Sequence, residues 1–200
     1  MISVTKLLFA REDAGDRLRY TDSAQAMKNG AAAGMGPVVV WNSTRTCNLH
    51  CCHCYMDSDA RAYEDELTTE EARRFIADLA AFRVPALLFS GGEPLLRPDF
   101  FELAAYAASL GVRPTLSTNG TRITPAVAQR IKEIGVAYVG ISLDGLQDVN
   151  DAFRGREGAY AAAMQGIKNC VAVGQRVGLR FTSNQQHVQE RDRTFELGEA

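Results

Sequence analysis

Between Cys47 and Cys54 the chain reads C-N-L-H-C-C-H-C, and Cys47, Cys51 and Cys54 have the spacing C-x₃-C-x₂-C. Three thiols this close in sequence demand one short loop, so the rest of the chain reads as the scaffold that holds it. As thiolates they suit three irons of a cubane iron–sulfur cluster, leaving the fourth iron without a protein ligand. A closed structural site would supply a fourth ligand. The competing reading is a zinc knuckle completed by His50 or His53. Zinc ribbons usually pair C-x₂-C with a distant second pair, and this sequence has none. The five cysteines are an odd number. That favours metal binding in a reducing compartment over a disulfide framework. Cys52 reads as a passive neighbour of the ligands. Cys170, near Val171 and Val173 in a predicted helix, reads as core.

The flanking pattern alternates strand and helix. Residues 38–42 (V-V-V-W-N) are β-branched and aromatic and predict a buried strand running directly into the cysteine loop. Thr68 with Glu71 three residues later is a capping-box pattern. Phe75, Ile76, Leu79 and Phe82 then predict a helix over 69–83. A strand at 86–90 delivers Gly91-Gly92-Glu93-Pro94, and a helix opens at Pro98 or Asp99 and ends at Gly111. A third strand is expected at 113–118. Thr124 and Pro125 open a helix that Gly135 closes. Further expectations are a strand at 137–143, a helix at 158–174, a strand at 179–183 and a helix at 187–198.

This alternation predicts a parallel α/β fold with right-handed crossovers. An open doubly wound sheet and a barrel both fit the count, and strand polarity favours the barrel. Val139, Ile141 and Leu143 share one face of their strand; Gly140, Ser142 and Asp144 share the other. Thr115, Ser117 and Asn119 line up likewise, as do Arg180, Thr182 and Asn184. Apolar faces would pack on helices, and polar faces suit a wet or ligand-filled lumen. Every distinctive turn falls at a strand's C-terminal end, which is the active face of α/β barrels.

The cysteine triplet is followed in order by Gly91-Gly92-Glu93-Pro94, Ser117-Thr118-Asn119-Gly120 and Ser142-Leu143-Asp144-Gly145. With these four motifs, from about Val38 to Asn184, the sequence resembles the radical S-adenosylmethionine (SAM) superfamily. The resemblance implies a partial (β/α) TIM-like barrel over 37–200, truncated after about five βα units, behind an N-terminal extension over 1–36. It also implies a C-terminal auxiliary-cluster region that this chain does not contain. The implied cofactors are a [4Fe-4S] cluster on Cys47, Cys51 and Cys54, and SAM chelated to the open iron. One-electron cleavage of SAM would give a 5′-deoxyadenosyl radical, with the protein supplying orientation and exclusion of water.

The resemblance also implies residue roles. The Gly91-Gly92-Glu93 turn binds the SAM amino group; the glycines allow close backbone approach to a ligand, and Glu93 suits a cation. Ser142 and Arg154 hold the SAM carboxylate, a guanidinium being suited to bidentate hydrogen bonds; the plainer reading of Arg154 is a helix-cap ion pair. Relatives often carry His-Asp where this chain has Asn150-Asp151, which leaves Asn150 without a clear role. His53 stands where many members have an aromatic that packs near the adenine; otherwise it is a surface loop residue. Asn48 and His50 read as loop-shaping. Ser117 and Asn119 shape the ribose side or the lumen. Asp144 either binds or caps its own turn. Arg180 and Asn184 are inward candidates for SAM or substrate, and His187 reads as structural.

Three stretches narrow the resemblance: residues 1–8, residues 38–47 and residues 88–97 (L-F-S-G-G-E-P-L-L-R). They look like the radical SAM enzymes of the alternative haem and haem d₁ pathways. That implies a tetrapyrrole substrate, with acetate side chains removed from 12,18-didecarboxysiroheme to give Fe-coproporphyrin III. Propionate removal in haem d₁ biosynthesis and peptide maturation are the alternatives. The physiological electron donor is not indicated. With 22 basic and 24 acidic residues, a net charge of −2 gives no reason to expect nucleic acid or a membrane surface as partner. The apolar runs are too short to span a bilayer, and the first ten residues lack a signal-peptide core. The cytoplasm is the expected compartment.

Overall fold

A computed structural model of the chain describes residues 36–182 and Thr194. Its core is one five-stranded sheet of β1 (Val39–Thr44), β2 (Ala86–Gly91), β3 (Arg113–Thr118), β4 (Tyr138–Ser142) and β5 (Val177–Arg180). The strands lie in sequence order and every pairing is parallel. Between them run α1 (Thr69–Ala81), α2 (Phe100–Ser109), α3 (Pro125–Ile134), α4 (Gln147–Arg154) and α5 (Ala159–Ala172). Parallel strands need crossover connections. With each crossover stepping one strand the same way, the helices form one layer: α1 packs on α2, α2 on α3, and α3 on α5. The result is a partial (β/α) barrel wall, as the sequence predicts.

The period-2 pattern sorts the two faces. Leu87, Phe89, Leu116, Val139 and Ile141 are buried under the helices with Ile76, Phe100, Leu103, Ala104, Ala128 and Ile131. Phe89 meets Phe100 edge-on at 5.4 Å. The opposite, concave face carries Asn42, Thr115, Ser117, Gly140, Ser142 and Arg180. Among the described residues no helix is long and apolar enough to cross a membrane.

Several boundaries move. The Thr68–Glu71 capping box forms as expected. However, α1 stops at Ala81 and Phe82 is 67% exposed instead of joining the apolar stripe. Arg83 turns the chain at φ 59° ahead of Pro85, so the helix cannot continue. A short 3₁₀ turn, Pro94–Leu96, precedes α2, which begins at Phe100. Helix α4 was not expected from the sequence; at 8 residues its apolar period is too short to register. The last strand begins at Val177 and ends at Arg180. Gly178 disguises it, because glycine weakens strand signals, while the register Val139↔Val177 fixes it. The expected helix at 187–198 (apart from buried Thr194), Asn184, His187 and residues 1–35 of the N-terminal extension lie outside the described residues.

Candidate functional site

The C-terminal ends of β1 to β4 converge on the cysteine loop. The loop's lead-in is clamped by the Gly91-Gly92-Glu93 turn: Gly92 N–H donates to Thr44 O at 2.7 Å and Glu93 N–H to Thr46 O at 2.8 Å. A Cβ on Gly91, at φ +120°, would stand 2.2 Å from Thr44 O, and one on Gly92 2.4 Å from Thr46 O. The glycines are therefore required for contact between two chain segments, a role distinct from the ligand approach expected of them. Glu66, which the sequence did not single out, accepts from Thr44 Oγ1 at 2.8 Å and from Arg45 N at 2.6 Å. Arg45 donates to Met56 O at 2.9 Å and to Asp57 O at 3.0 Å, and Cys47 N–H donates to Asp59 O at 2.8 Å. These bonds close the loop on itself. Arg97, also unassigned, is buried beneath it, pairs with Asp99 at 2.7 Å and donates to Ser43 O at 2.8 Å.

Each of the three spaced cysteines has its sulfur near a donor. Asn119 Nδ2 lies 3.9 Å from Cys47 Sγ, Arg154 Nη1 3.7 Å from Cys51 Sγ, and Ser58 N 3.4 Å from Cys54 Sγ. Burial pushes the Cys47 thiol up to about 11, and the nearby Glu93, Cys51 and Cys54 push the same way. Burial also raises Cys51, with Arg154 working against it. Three thiols on one short loop are a donor set suited to a cationic centre, which would hold them as thiolates. Among the described residues no His, Cys, Asp or Glu group is arranged to hold one metal ion. Around a single tetrahedral ion the sulfurs would stand within ~4 Å of one another. A cubane, with each thiolate on its own iron, spreads them further. Cys52 is exposed and Cys170 is fully buried.

The far side of the loop rests on the end of α4. Cys52 N–H donates to Phe153 O at 3.1 Å and His50 N–H to Arg154 O at 3.2 Å. The His53 ring stacks on Phe153 at 4.1 Å with 15° between planes. Gly155 ends the helix at φ +66°, and a Cβ there would stand 2.2 Å from His50 O. Sequence reasoning missed Phe153 because the helix that aims it was itself missed. Arg154, 8% exposed, forms an ion pair with fully buried Asp144. Its Nε is buried with no hydrogen-bond partner. Asp144 is thus engaged across the sheet: its other oxygen accepts from Thr182 N at 2.6 Å. Asn150 gains a definite role, accepting from Asp144 N at 3.0 Å.

The remaining candidates divide. Glu93 is wholly buried, accepting from Thr118 Oγ1 at 2.7 Å, Asn119 N at 2.8 Å and Leu95 N at 3.1 Å. Burial raises its carboxyl above the usual range although these three donors oppose the shift. Its side chain thus ties the β2 turn to the end of β3. Asn119 reaches the cysteine loop, donating to Asn48 Oδ1 at 3.0 Å as well as approaching Cys47. Ser142 stays half-buried at the end of β4. Ser117 lies further down the concave face, in contact with Arg180. Cys47, Cys51, Cys54, His53, Asn119 and Arg154 thus gather at the loop.

The Radical SAM superfamily profile matches residues 41–197. The chain is 46% identical over 200 residues to Fe-coproporphyrin III synthase of Methanosarcina barkeri, covering 98% of this chain and 50% of that protein. It is 52% identical over 151 residues to pre-heme d1 synthase of Dinoroseobacter shibae, covering 76% of this chain and 37% of that protein. The chain spans half or less of the length of these relatives. Among solved structures, native anSMEcpe with bound AdoMet superposes with a TM-score of 0.68 at 21% identity, over 82% of this chain and 49% of that one. At that identity the likeness speaks for the fold.

Proposed function

The chain belongs to the radical SAM superfamily, and on that premise we propose that it is the catalytic barrel of an enzyme acting on a tetrapyrrole. The reaction proposed is removal of acetate side chains from 12,18-didecarboxysiroheme to give Fe-coproporphyrin III. The observation that carries this reading is the similarity to Fe-coproporphyrin III synthase, which runs through 98% of the chain. A second reading, a haem d₁ biosynthesis enzyme removing propionate arms, is favoured by the higher identity, 52%, to pre-heme d1 synthase over a shorter stretch.

In this proposal Cys47, Cys51 and Cys54 would hold a [4Fe-4S] cluster, and residues around the loop would bind SAM. When bound, cluster and SAM supply one-electron cleavage of a carbon–sulfur bond and a hydrogen-abstracting radical. The chain's own work is placement. The Gly91–Glu93 clamp and the end of α4 hold the loop from two sides. Arg154, with its unpartnered Nε, offers a donor toward a SAM carboxylate beside Ser142. The His53 face turned away from Phe153 offers a flat surface to adenine. Asn119 donates toward the ligand sulfur of Cys47, which favours its thiolate.

The test is anaerobic incubation of the intact, reconstituted enzyme with SAM, a one-electron reductant and 12,18-didecarboxysiroheme. Porphyrin mass and 5′-deoxyadenosine are followed together. Loss of two acetate units with 5′-deoxyadenosine formation supports the reading. 5′-Deoxyadenosine with an unchanged tetrapyrrole sinks the substrate but keeps the radical chemistry. No 5′-deoxyadenosine, from protein carrying its full iron and sulfide, rejects SAM cleavage.

A further inference from the structure

On the concave face, two side chains lie flat across neighbouring strands. Tyr138 of β4 crosses β5 at Gly178, where a Cβ would stand 2.4 Å from its hydroxyl oxygen. Arg180 of β5 crosses β4 at Gly140, where a Cβ would stand 2.7 Å from Nε and 2.9 Å from Cδ. Gly140 and Gly178 face each other in the parallel register, and Arg180 is paired with Ser142. Beyond Gly140 the guanidinium donates from Nη1 to Ser117 Oγ on β3. Arg180 is therefore laid across β4 toward β3 by one missing side chain, that of Gly140, and one hydroxyl, that of Ser117.

Such placement fixes several rotamers of a long side chain, which opposes folding. A solvated surface arginine has no need of it. Guanidinium groups held at partly buried positions normally meet a carboxylate. Among the described residues no carboxylate pairs with Arg180: Asp144, the acid at the same end of β4, is engaged by Arg154 and by Thr182 N. Ser117 uses one of the five guanidinium donors, and the side chain stays only partly buried on the concave face, in register with Ser142.

We propose that Arg180, spread over Gly140 and steadied by Ser117, binds a carboxylate of a molecule seated on the concave face. A side-chain carboxylate of the tetrapyrrole and the amino-acid carboxylate of SAM share this chemistry. The tetrapyrrole source rests on the function proposed above; the SAM source needs only the family.

The test measures binding rather than turnover. Anaerobic, cluster-loaded intact enzyme is titrated with Fe-coproporphyrin III, with its tetramethyl ester, and separately with SAM by equilibrium dialysis. Arg180→Gln is expected to weaken binding of the acid by about tenfold or more, the scale of one charge-assisted bond. The ester and SAM should bind the variant as they bind the wild type. Arg180→Lys should recover part of the loss. Gly140→Ala keeps the guanidinium but pushes it aside, and should reproduce part of the loss with an unchanged melting temperature. If Arg180→Gln instead weakens SAM alone, the carboxylate is that of SAM. If the wild type binds neither porphyrin, the tetrapyrrole reading has failed and the SAM titration alone decides Arg180. Unchanged affinity for both acid and SAM in a folded variant overturns the proposal.

Discussion

Asp144→Asn should be among the most damaging conservative substitutions in the chain. The Asp144 side chain is 0% exposed and its ion-pair partner Arg154 only 9%. Asparagine keeps the size and can still accept from Thr182 N, 2.6 Å from Oδ1 in the wild type. What it removes is the charge opposite a buried guanidinium whose Nε already has no partner. Breaking a buried pair from one side costs ~3–5 kcal/mol, and the retained acceptor puts this case near ~3 kcal/mol. At this chain length 1 kcal/mol moves the melting temperature by about 2–4 °C, so the expected fall is about 6–12 °C. The assay is thermal unfolding by circular dichroism of cluster-loaded protein, wild type and variant matched for iron and sulfide. A fall under about 2 °C would refute the reasoning, because it would mean that the guanidinium finds water or another acceptor. The double variant Asp144→Asn with Arg154→Met should recover stability relative to Asp144→Asn alone. It should still bind SAM poorly if Arg154 serves the carboxylate.

Other outcomes can be stated briefly. Gly155→Ala sets a Cβ 2.2 Å from His50 O at a positive φ, so the cysteine loop must shift; iron content after reconstitution should fall while the secondary-structure signal stays. Asn150→Ala strands the buried N–H of Asp144, which is 3.0 Å from Asn150 Oδ1; the loss in a urea titration should be about 1–3 kcal/mol. Alkylation at pH 8, read by peptide mass in metal-free protein, should mark exposed Cys52 quickly and spare Cys170, whose thiol burial pushes up to about 11. The folded-state value of Cys170 is raised, so its contribution to stability is whole below about pH 9. It is lost as pH rises through about 11.

Much of the fold was legible in the chain because its signals are local. The capping box at Thr68, Pro125 after Thr124 and Gly135 in the left-handed region mark helix ends with groups a few residues apart. The alignment of Thr115, Ser117 and Asn119, and the period-2 sorting of Ile141 from Ser142, announced a sheet with one wet face. Helix α4 escaped because eight residues give too little periodicity. The start of β5 escaped because its register is set by β4 across the sheet. Phe153, Glu66 and Arg97 escaped for a related reason: each acts on a partner distant in sequence.

The sequence by itself determined the alternation of strands and helices, and the polarity of the strands pointed to a barrel. It also singled out Cys47, Cys51 and Cys54 as the candidate donor set, since residue type and short-range spacing suffice to pick them out. Only the tertiary structure decided what the polar side chains touch. Gly91 and Gly92 serve the exit of β1, Glu93 is spent on Thr118 and Asn119, and Asp144 belongs to Arg154. Arg180 lies across Gly140 and reaches Ser117. A buried carboxylate or guanidinium must find a partner, and which partner depends on strand register and helix docking over tens of residues. Chain neighbours carry no record of that choice.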